Sequence, residues 1–315
     1  MLSGDSPATV AAIAERVGLD GREPVDARSL PEGQLDLVAL VDARTVFGRI
    51  TPEDKRRVVE ALRAAGHTVA MTGDGVNDVP ALKAADLGIA IGSGARAARA
   101  VAQVVLLDAR FATMPRVVAE GRRVIANIER VANLFLTKTA YAVLLAIAAA
   151  VAAVSFPLLP RHLTIVDALT IGTPAFFLAL APNPARYRPG FIRRVMRFAL
   201  PAGAGAAIAT FGAYAGVLAT RAQLADARTA ATLTLTLVGL WILGMLARPL
   251  TGWRLWLVAA MALGLVLVVL VPFARSFFAL VLLAPQQLAL VAAAAAGGAV
   301  LVELGVRLAG WHRVQ

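Results

Sequence analysis

The sequence contains no cysteine, which excludes a disulfide framework and a thiolate metal site. Lysine is almost as scarce. Lys55, Lys83 and Lys138 are the only three among 31 basic residues, so arginine carries the positive charge. Carboxylates are confined to one end: Asp and Glu crowd the first third, and only Asp167, Asp226 and Glu303 follow Glu129. The first residues, MLSGDSPATVAAIAERVG, lack a basic n-region and a long apolar run, so they do not read as a signal peptide.

What is present is apolar. The 315 residues are 59% hydrophobic with a mean hydropathy of +0.73, beyond the share of nearly half found in soluble domains. Charge at one end and apolar runs at the other predict a soluble N-terminal domain joined to a membrane domain. The net charge of +11 raises the question of nucleic acid. The arginines, however, fall in short loops between apolar runs rather than in a stripe interleaved with aromatics. That is the positive-inside pattern, and no nucleic-acid partner is expected.

Up to about residue 110, helical and strand patterns alternate. SPATVAAIAERVG reads as a helix with Ser6 as cap, Pro7 in the first turn and Gly18 as stop. LDLVALVDARTVFGRI suits one or two buried strands. TPEDKRRVVEALRAAG is an amphipathic helix capped by Thr51, with Pro52 first inside and Gly66 at its end. HTVAMTGDG reads as a strand entering a loop, NDVPALKAA as a helix, and DLGIAIG and AQVVLL as strands. Such alternation predicts a parallel sheet with helices on its faces. Ligands then sit beyond the carboxyl ends of the strands, where TGDGVND falls.

From Met114 to Pro157 the chain reads as one long helix, charged at first and then apolar enough to span a bilayer. Five further spans follow, at about residues 162–181, 196–219, 229–247, 252–271 and 286–308. Six spans place both ends on one side. NPARYRPGFIRRVMR, ARPLTGWR and GVRLAGWHRVQ carry most of the arginine and predict that side to be cytoplasmic, against Arg161, Arg221, Arg228 and Arg275 outside.

Handling a phosphoryl group needs a hard cation, a fixed positive charge and oriented backbone donors. Asp74 on the loop and Asp78 at the start of the next helix can face one such cation, whose preferred ligands are oxygens. Gly73 and Gly75 allow close backbone approach, the following helix start offers free N–H groups, and Lys55 can swing towards phosphoryl oxygens. Ser3, in LSGD, offers a hydroxyl with nearby N–H groups. Taken singly, GDG is an ordinary turn and Lys55 a solvated helix lysine.

Taken together, LSGDSPATVAAIA, VFGRITPEDKRRVVEALRAAGHTVAMTGDGVNDVPALKAADLGIAIG and the long helix that follows closely resemble the P-type cation-transporting ATPases. The match is to the end of that family's phosphorylation domain, of haloacid-dehalogenase fold, and its last six membrane helices. The resemblance implies an α/β Rossmann-like partial domain over residues 1–112, a helical stalk over 113–132, and an all-α six-helix transmembrane domain over 133–315. It implies Mg²⁺ as cofactor and ATP as substrate of the complete enzyme. Ser3, Gly4 and Asp5 would contact the phosphoryl group with Gly73 and Gly75. Lys55 would bind phosphate, and Asp74, Asn77 and Asp78 would complete the metal site.

Departures from the family are equally informative. The phosphorylated aspartate's string Asp-Lys-Thr-Gly-Thr does not occur, nor does Thr-Gly-Glu-Ser. The nucleotide-binding domain and first four membrane helices have no counterpart either. The chain is expected to be the C-terminal portion of a pump in a bacterial plasma membrane. Its partners would be lipid, the transported cation and the missing N-terminal half. A catalytically inactive membrane partner is the alternative. A free-standing phosphatase would need the nucleophilic aspartate.

In the second span, the resemblance makes Gly172 and Pro174 an unwound segment with free carbonyls, tolerable at that depth only beside an enclosed cavity. With Thr170 nearby, Asp167 and Lys138 are candidates for the ion pathway, since ionisable groups inside a membrane are costly. Either can also snorkel to its own boundary, and the spacing alone does not require them to pair. One carboxylate beside one ammonium suits a single hard cation better than two Ca²⁺ ions. The absence of thiols argues against a soft heavy metal.

Overall fold

The computed structural model describes residues 1–21, 23–181, 190–250 and 252–311. It divides into two compact units, Met1–Val117 and Val118–Gln315.

In the first unit, helix α1 (Pro7–Arg16) starts where Ser6 accepts a hydrogen bond from the Thr9 N–H. Strand β1 (Val25–Asp26) pairs in parallel with β2 (Phe47–Gly48), and Leu2 bridges to Phe47. Between them lies helix α2 (Gln34–Ala43). This corrects the strand reading of LDLVALVDA. Leu37, Leu40 and Val41 recur at helical rather than alternating spacing, and all three turn into the core around Phe47. Only Phe47–Gly48 of that stretch is a strand.

Helix α3 (Pro52–Ala64) has a full capping box between Thr51 and Asp54, and Gly66 follows with a positive φ of 91°. Its consecutive residues Val58 and Val59 face different cores. Val58 joins Phe47, Ile50 and Ala61, while Val59 joins Met71, Leu82 and Ala90. The second core underlies a parallel sheet of β3 (Ala70–Gly73), β4 (Leu87–Ile91) and β5 (Val104–Leu106), with β4 central. Helices α4 (Val79–Ala84) and α5 (Arg96–Val101) connect them. Among the described residues the outer edges of β3 and β5 lack a strand partner, as do those of β1 and of Leu2 in the smaller sheet.

The second unit is helical. Six stretches among the described residues are long and apolar enough to cross a membrane. Helix α6 (Met114–Val151) is continuous. The next span is α7 (Pro160–Asp167), a π turn (Ala168–Gly172) and α8 (Thr173–Leu180). Then come α9 (Phe191–Ala219), α10 (Leu224–Leu246), α11 (Trp253–Leu270), a short α12 (Pro272–Phe277) and α13 (Pro285–Leu308).

Helices α9, α10 and α13 form the packed centre, with α10 buried on most of its surface. A Cβ on Gly298 would lie 2.6 Å from the Ala209 Cβ and 2.8 Å from Val238 Cγ2, so small residues set the helix spacing here. The expected unwound segment is instead a wound π turn. Pro174 has no N–H to give the carbonyl four residues back, and widening the turn accommodates that break without leaving the helix. Of the arginine-rich loop between the second and third spans, residues 182–189 lie outside the described residues, as do residues 312–315 of the tail.

Candidate active site and membrane ion pair

The TGDGVND loop leaves the carboxyl end of β3 and turns into α4 through a single 3₁₀ turn, Val76–Asp78. Asp78 is the buried member. Its Oδ1 accepts a 2.7 Å bond from Lys55 Nζ, and its Oδ2 accepts the Gly75 N–H at 3.2 Å. The side chains of Lys55 and Asp78 are only 14% and 10% exposed. The lysine thus reaches the loop from α3, its ammonium fixed by a charge-assisted bond. A Cβ on Gly73 would lie 2.5 Å from the Asp78 Cβ, so only glycine lets Asp78 fold back beneath the strand end.

Asp74 and Asn77 are exposed on the same loop. The Asp74 carbonyl accepts the Ala95 N–H at 2.7 Å, and a Cβ on Gly94 would lie 2.6 Å from that oxygen. The Gly92–Gly94 turn after β4 therefore buttresses Asp74 from behind. The sequence reading missed this support, and the glycines at 92 and 94 were its signal. Ser3 and Asp5 form a separate turn. Asp5 N–H donates to Ser3 Oγ and Ser3 Oγ donates to Asp5 Oδ2, both at 3.2 Å. Gly4 lies between them with no atom within 4 Å of an added Cβ. No hydrogen bond joins this turn to Lys55, Asp74 or Asp78 among the described residues.

The donor set fits a magnesium ion. Mg²⁺ characteristically takes one or two carboxylates and completes its shell with water and substrate phosphate. Asp74 offers an accessible carboxylate, Asn77 an amide oxygen beside it, and Asp78 a second carboxylate one turn away. No cluster of three or more His, Cys, Asp or Glu occurs among the described residues, so these residues would supply only part of a metal shell, with water and substrate oxygens completing it.

In the helical unit, Lys138 on α6 and Asp167 at the end of α7 form an ion pair. This resolves what their spacing left open. Asp167 Oδ1 is sealed from solvent and unbonded, as are Asn133 Oδ1, Thr137 Oγ1 and the Tyr141 hydroxyl on α6. Thr170 lies in the π turn, its hydroxyl donating 2.6 Å to the Val166 carbonyl, and it packs against Gly239 of α10. Gly172 closes the π turn and Pro174 opens α8. Sequence reasoning had not singled out Asn133, Thr137 or Tyr141. They lie at helical spacing on the buried stripe of α6, a pattern that reads as core until the side chains prove polar.

Comparison with known proteins follows the two units. Residues 1–86 match the haloacid dehalogenase-like hydrolase family. The calcium-transporting ATPase CtpE of Mycobacterium bovis is 52% identical, matched over 89% of this chain and 37% of its own length. Its namesake in Mycolicibacterium smegmatis is 51% identical over the same shares. The probable cation-transporting ATPase exp7 of Streptococcus pneumoniae is 38% identical, over 64% of this chain and 27% of its own. The chain thus spans about 37% of the length of the first of these relatives. A solved structure of the catalytic domain of the CPx-ATPase CopB-B is 28% identical over 36% of this chain and 35% of that one, with a TM-score of 0.27.

Proposed function

We propose, for a chain that corresponds to a portion of a P-type cation-transporting ATPase, that it supplies the metal-binding loop and phosphate-binding lysine of an ATP-driven cation pump. It also supplies part of the ion path, in a multi-pass membrane protein. The observation that carries this reading is the assembly on the β3 loop. Lys55 is locked to a buried Asp78, and Asp74 is presented at the strand end with glycine-backed support. Bound there, Mg²⁺ would neutralise phosphoryl charge. Lys55 would hold a phosphoryl oxygen, and the Gly75 N–H and the loop backbone would fix the geometry of Asp78. The aspartate that accepts the phosphoryl group comes from outside the sequence described here, which has no Asp-Lys-Thr-Gly-Thr.

The transported ion is a single hard cation. Asp167 brings one membrane carboxylate, already matched by the Lys138 ammonium; buried, unbonded hydroxyl and amide oxygens lie on the same helix α6 as Lys138, and the chain has no thiol. Among hard cations the name of the Mycobacterium relatives favours calcium. The arginine distribution supports both ends on the cytoplasmic side, and the bacterial relatives favour a bacterial plasma membrane.

The test is a cation screen of ATPase activity on the complete reconstituted protein, with acid-stable phosphoenzyme measured alongside. Stimulation by one hard cation, and labelling lost in Asp74→Ala, are expected. Acid-stable labelling of the 315-residue chain alone would overturn the assignment of the acceptor to another segment. No cation-dependent labelling of the complete protein would favour an inactive membrane partner.

A further inference from the structure

The two aspartates of the β3 loop are held in place by different means. Asp78 is fixed through its carboxylate, which takes the Lys55 ammonium at 2.7 Å and the Gly75 N–H at 3.2 Å. The Asp74 side chain is exposed, and no hydrogen bond or ion pair reaches its carboxylate among the described residues. What fixes Asp74 is its backbone.

That backbone rests on the turn of residues 91–94, at the carboxyl end of β4. The Gly94 N–H closes the turn on the Ile91 carbonyl at 2.9 Å, and the Gly92 N–H ties it to the Leu106 carbonyl of β5 at 2.8 Å. The sheet therefore sets where the turn stands. From it, the Ala95 N–H donates to the Asp74 carbonyl at 2.7 Å. Ala95 precedes α5 with φ −56° and ψ 141°, a position whose N–H has no partner within the helix. A Cβ on Gly94 would stand 2.6 Å from the Asp74 carbonyl oxygen, 2.9 Å from its Cα and 3.0 Å from its Cβ. The bare face of Gly94 thus lies against the root of the Asp74 side chain.

We propose that Gly94 and Ala95 are positioning residues for a magnesium ion at Asp74, setting its affinity through the Asp74 backbone. The proposal rests on the reading of Asp74 as a metal ligand. Mg²⁺ demands near-octahedral ligands at about 2.0 to 2.1 Å, and a site works only when its groups are held to within about 0.5 Å. Room for a methyl at position 94 exists only if the Asp74 backbone and the turn draw apart.

The experiment measures Mn²⁺, as a stand-in for Mg²⁺, bound by the complete protein without nucleotide, from loss of the free ion's electron paramagnetic resonance signal. Binding lost in Asp74→Ala defines the site. Gly94→Ala should weaken that component about tenfold, the usual effect of disturbing a group that holds a metal ligand. Ala95→Pro should do the same, since φ at 95 already suits proline and the change deletes the donor to Asp74. It keeps the test readable if Gly94→Ala misfolds. Gly88→Ala is the matched control, its methyl 2.7 Å from the Leu82 carbonyl at the opposite end of β4. It should lower the melting temperature comparably and keep the parent's Mn²⁺ affinity. Phosphoenzyme formed by Gly94→Ala should recover at raised Mg²⁺, as weakened binding requires and a damaged fold does not. Parental Mn²⁺ affinity in a folded Gly94→Ala or Ala95→Pro overturns the proposal while leaving Asp74 a ligand. So does an equal loss in Gly88→Ala, which marks general destabilisation. Full Mn²⁺ binding in Asp74→Ala overturns the reading of Asp74 itself, and the proposal with it.

Discussion

The ammonium of Lys55 and the carboxylate of Asp78 meet at 2.7 Å across the junction of helix α3 and the β3 loop, both nearly closed to solvent. The pair fastens the lysine's helix to the β3 loop, so the ammonium and the loop move together.

Removing one partner leaves the other buried without compensation. Asp78→Ala is expected to destabilise the first unit by about 3 to 5 kcal/mol. Lys55→Met should cost less, since Asp78 keeps the Gly75 N–H. Chemical denaturation of the full chain, followed by far-UV circular dichroism, measures both. Equal stability of Asp78→Ala and the parent would show that the pair is not formed in solution.

The glycines of the loop should separate cleanly. Gly73→Ala and Gly94→Ala drive a methyl to within 2.5 and 2.6 Å of Asp78 and Asp74 atoms, an overpacking of about 1 to 3 kcal/mol. Gly75→Ala meets nothing nearer than 3.5 Å and should melt like the parent. Thermal scans rank the three, and a Gly75 variant as damaged as Gly73 would contradict the loop geometry.

In the membrane unit, Asp167→Asn in the complete protein should impair cation-dependent phosphorylation. Unchanged cation affinity would remove Asp167 from the ion path. Thermal stability in detergent should also fall in Lys138→Met and Asp167→Asn singly, and recover in part in the double variant. A lone charge in a low-dielectric site costs more than a neutral pair.

Acid should act on the first unit through Asp86. The Val69 N–H bonded to its carboxylate, together with the Arg63 guanidinium, holds Asp86 below the ordinary aspartate range. A depressed folded-state value contributes stability that is complete above the unfolded value of about 3.9 and is lost as pH falls through the folded one. Asp86→Asn should therefore flatten the acid-side loss of stability below about pH 4, read from denaturation midpoints across pH.

Much of this was legible in the residues. Thr51, Pro52 and Asp54 announce α3, and the run from Met71 to Gly92 announces strand, loop, helix and strand in order, because caps and glycines act locally. The strand reading of residues 35–43 failed because Leu-Asp-Leu-Val-Ala-Leu-Val satisfies both periods, and burial of Leu37 against Phe47 decides between them only in three dimensions. The Lys138–Asp167 pair was out of reach for another reason. Which residues of two helices stand level depends on their relative height, and sequence spacing does not encode it.

The π turn after Asp167 has an angular meaning. It holds one residue more than an α-helical turn, and one residue is worth about 100° of rotation. The extra residue sets the phase of α8 against α7, so that Leu178 lies fully inside while Phe176 and Phe177 face outward, 62% and 44% exposed. Shortening Ala168–Gly172 by one residue would leave the span nearly as long and as greasy, yet swing its lower half by more than a quarter of a turn. Leu178 would lose its packed position, although every residue of α8 had been kept.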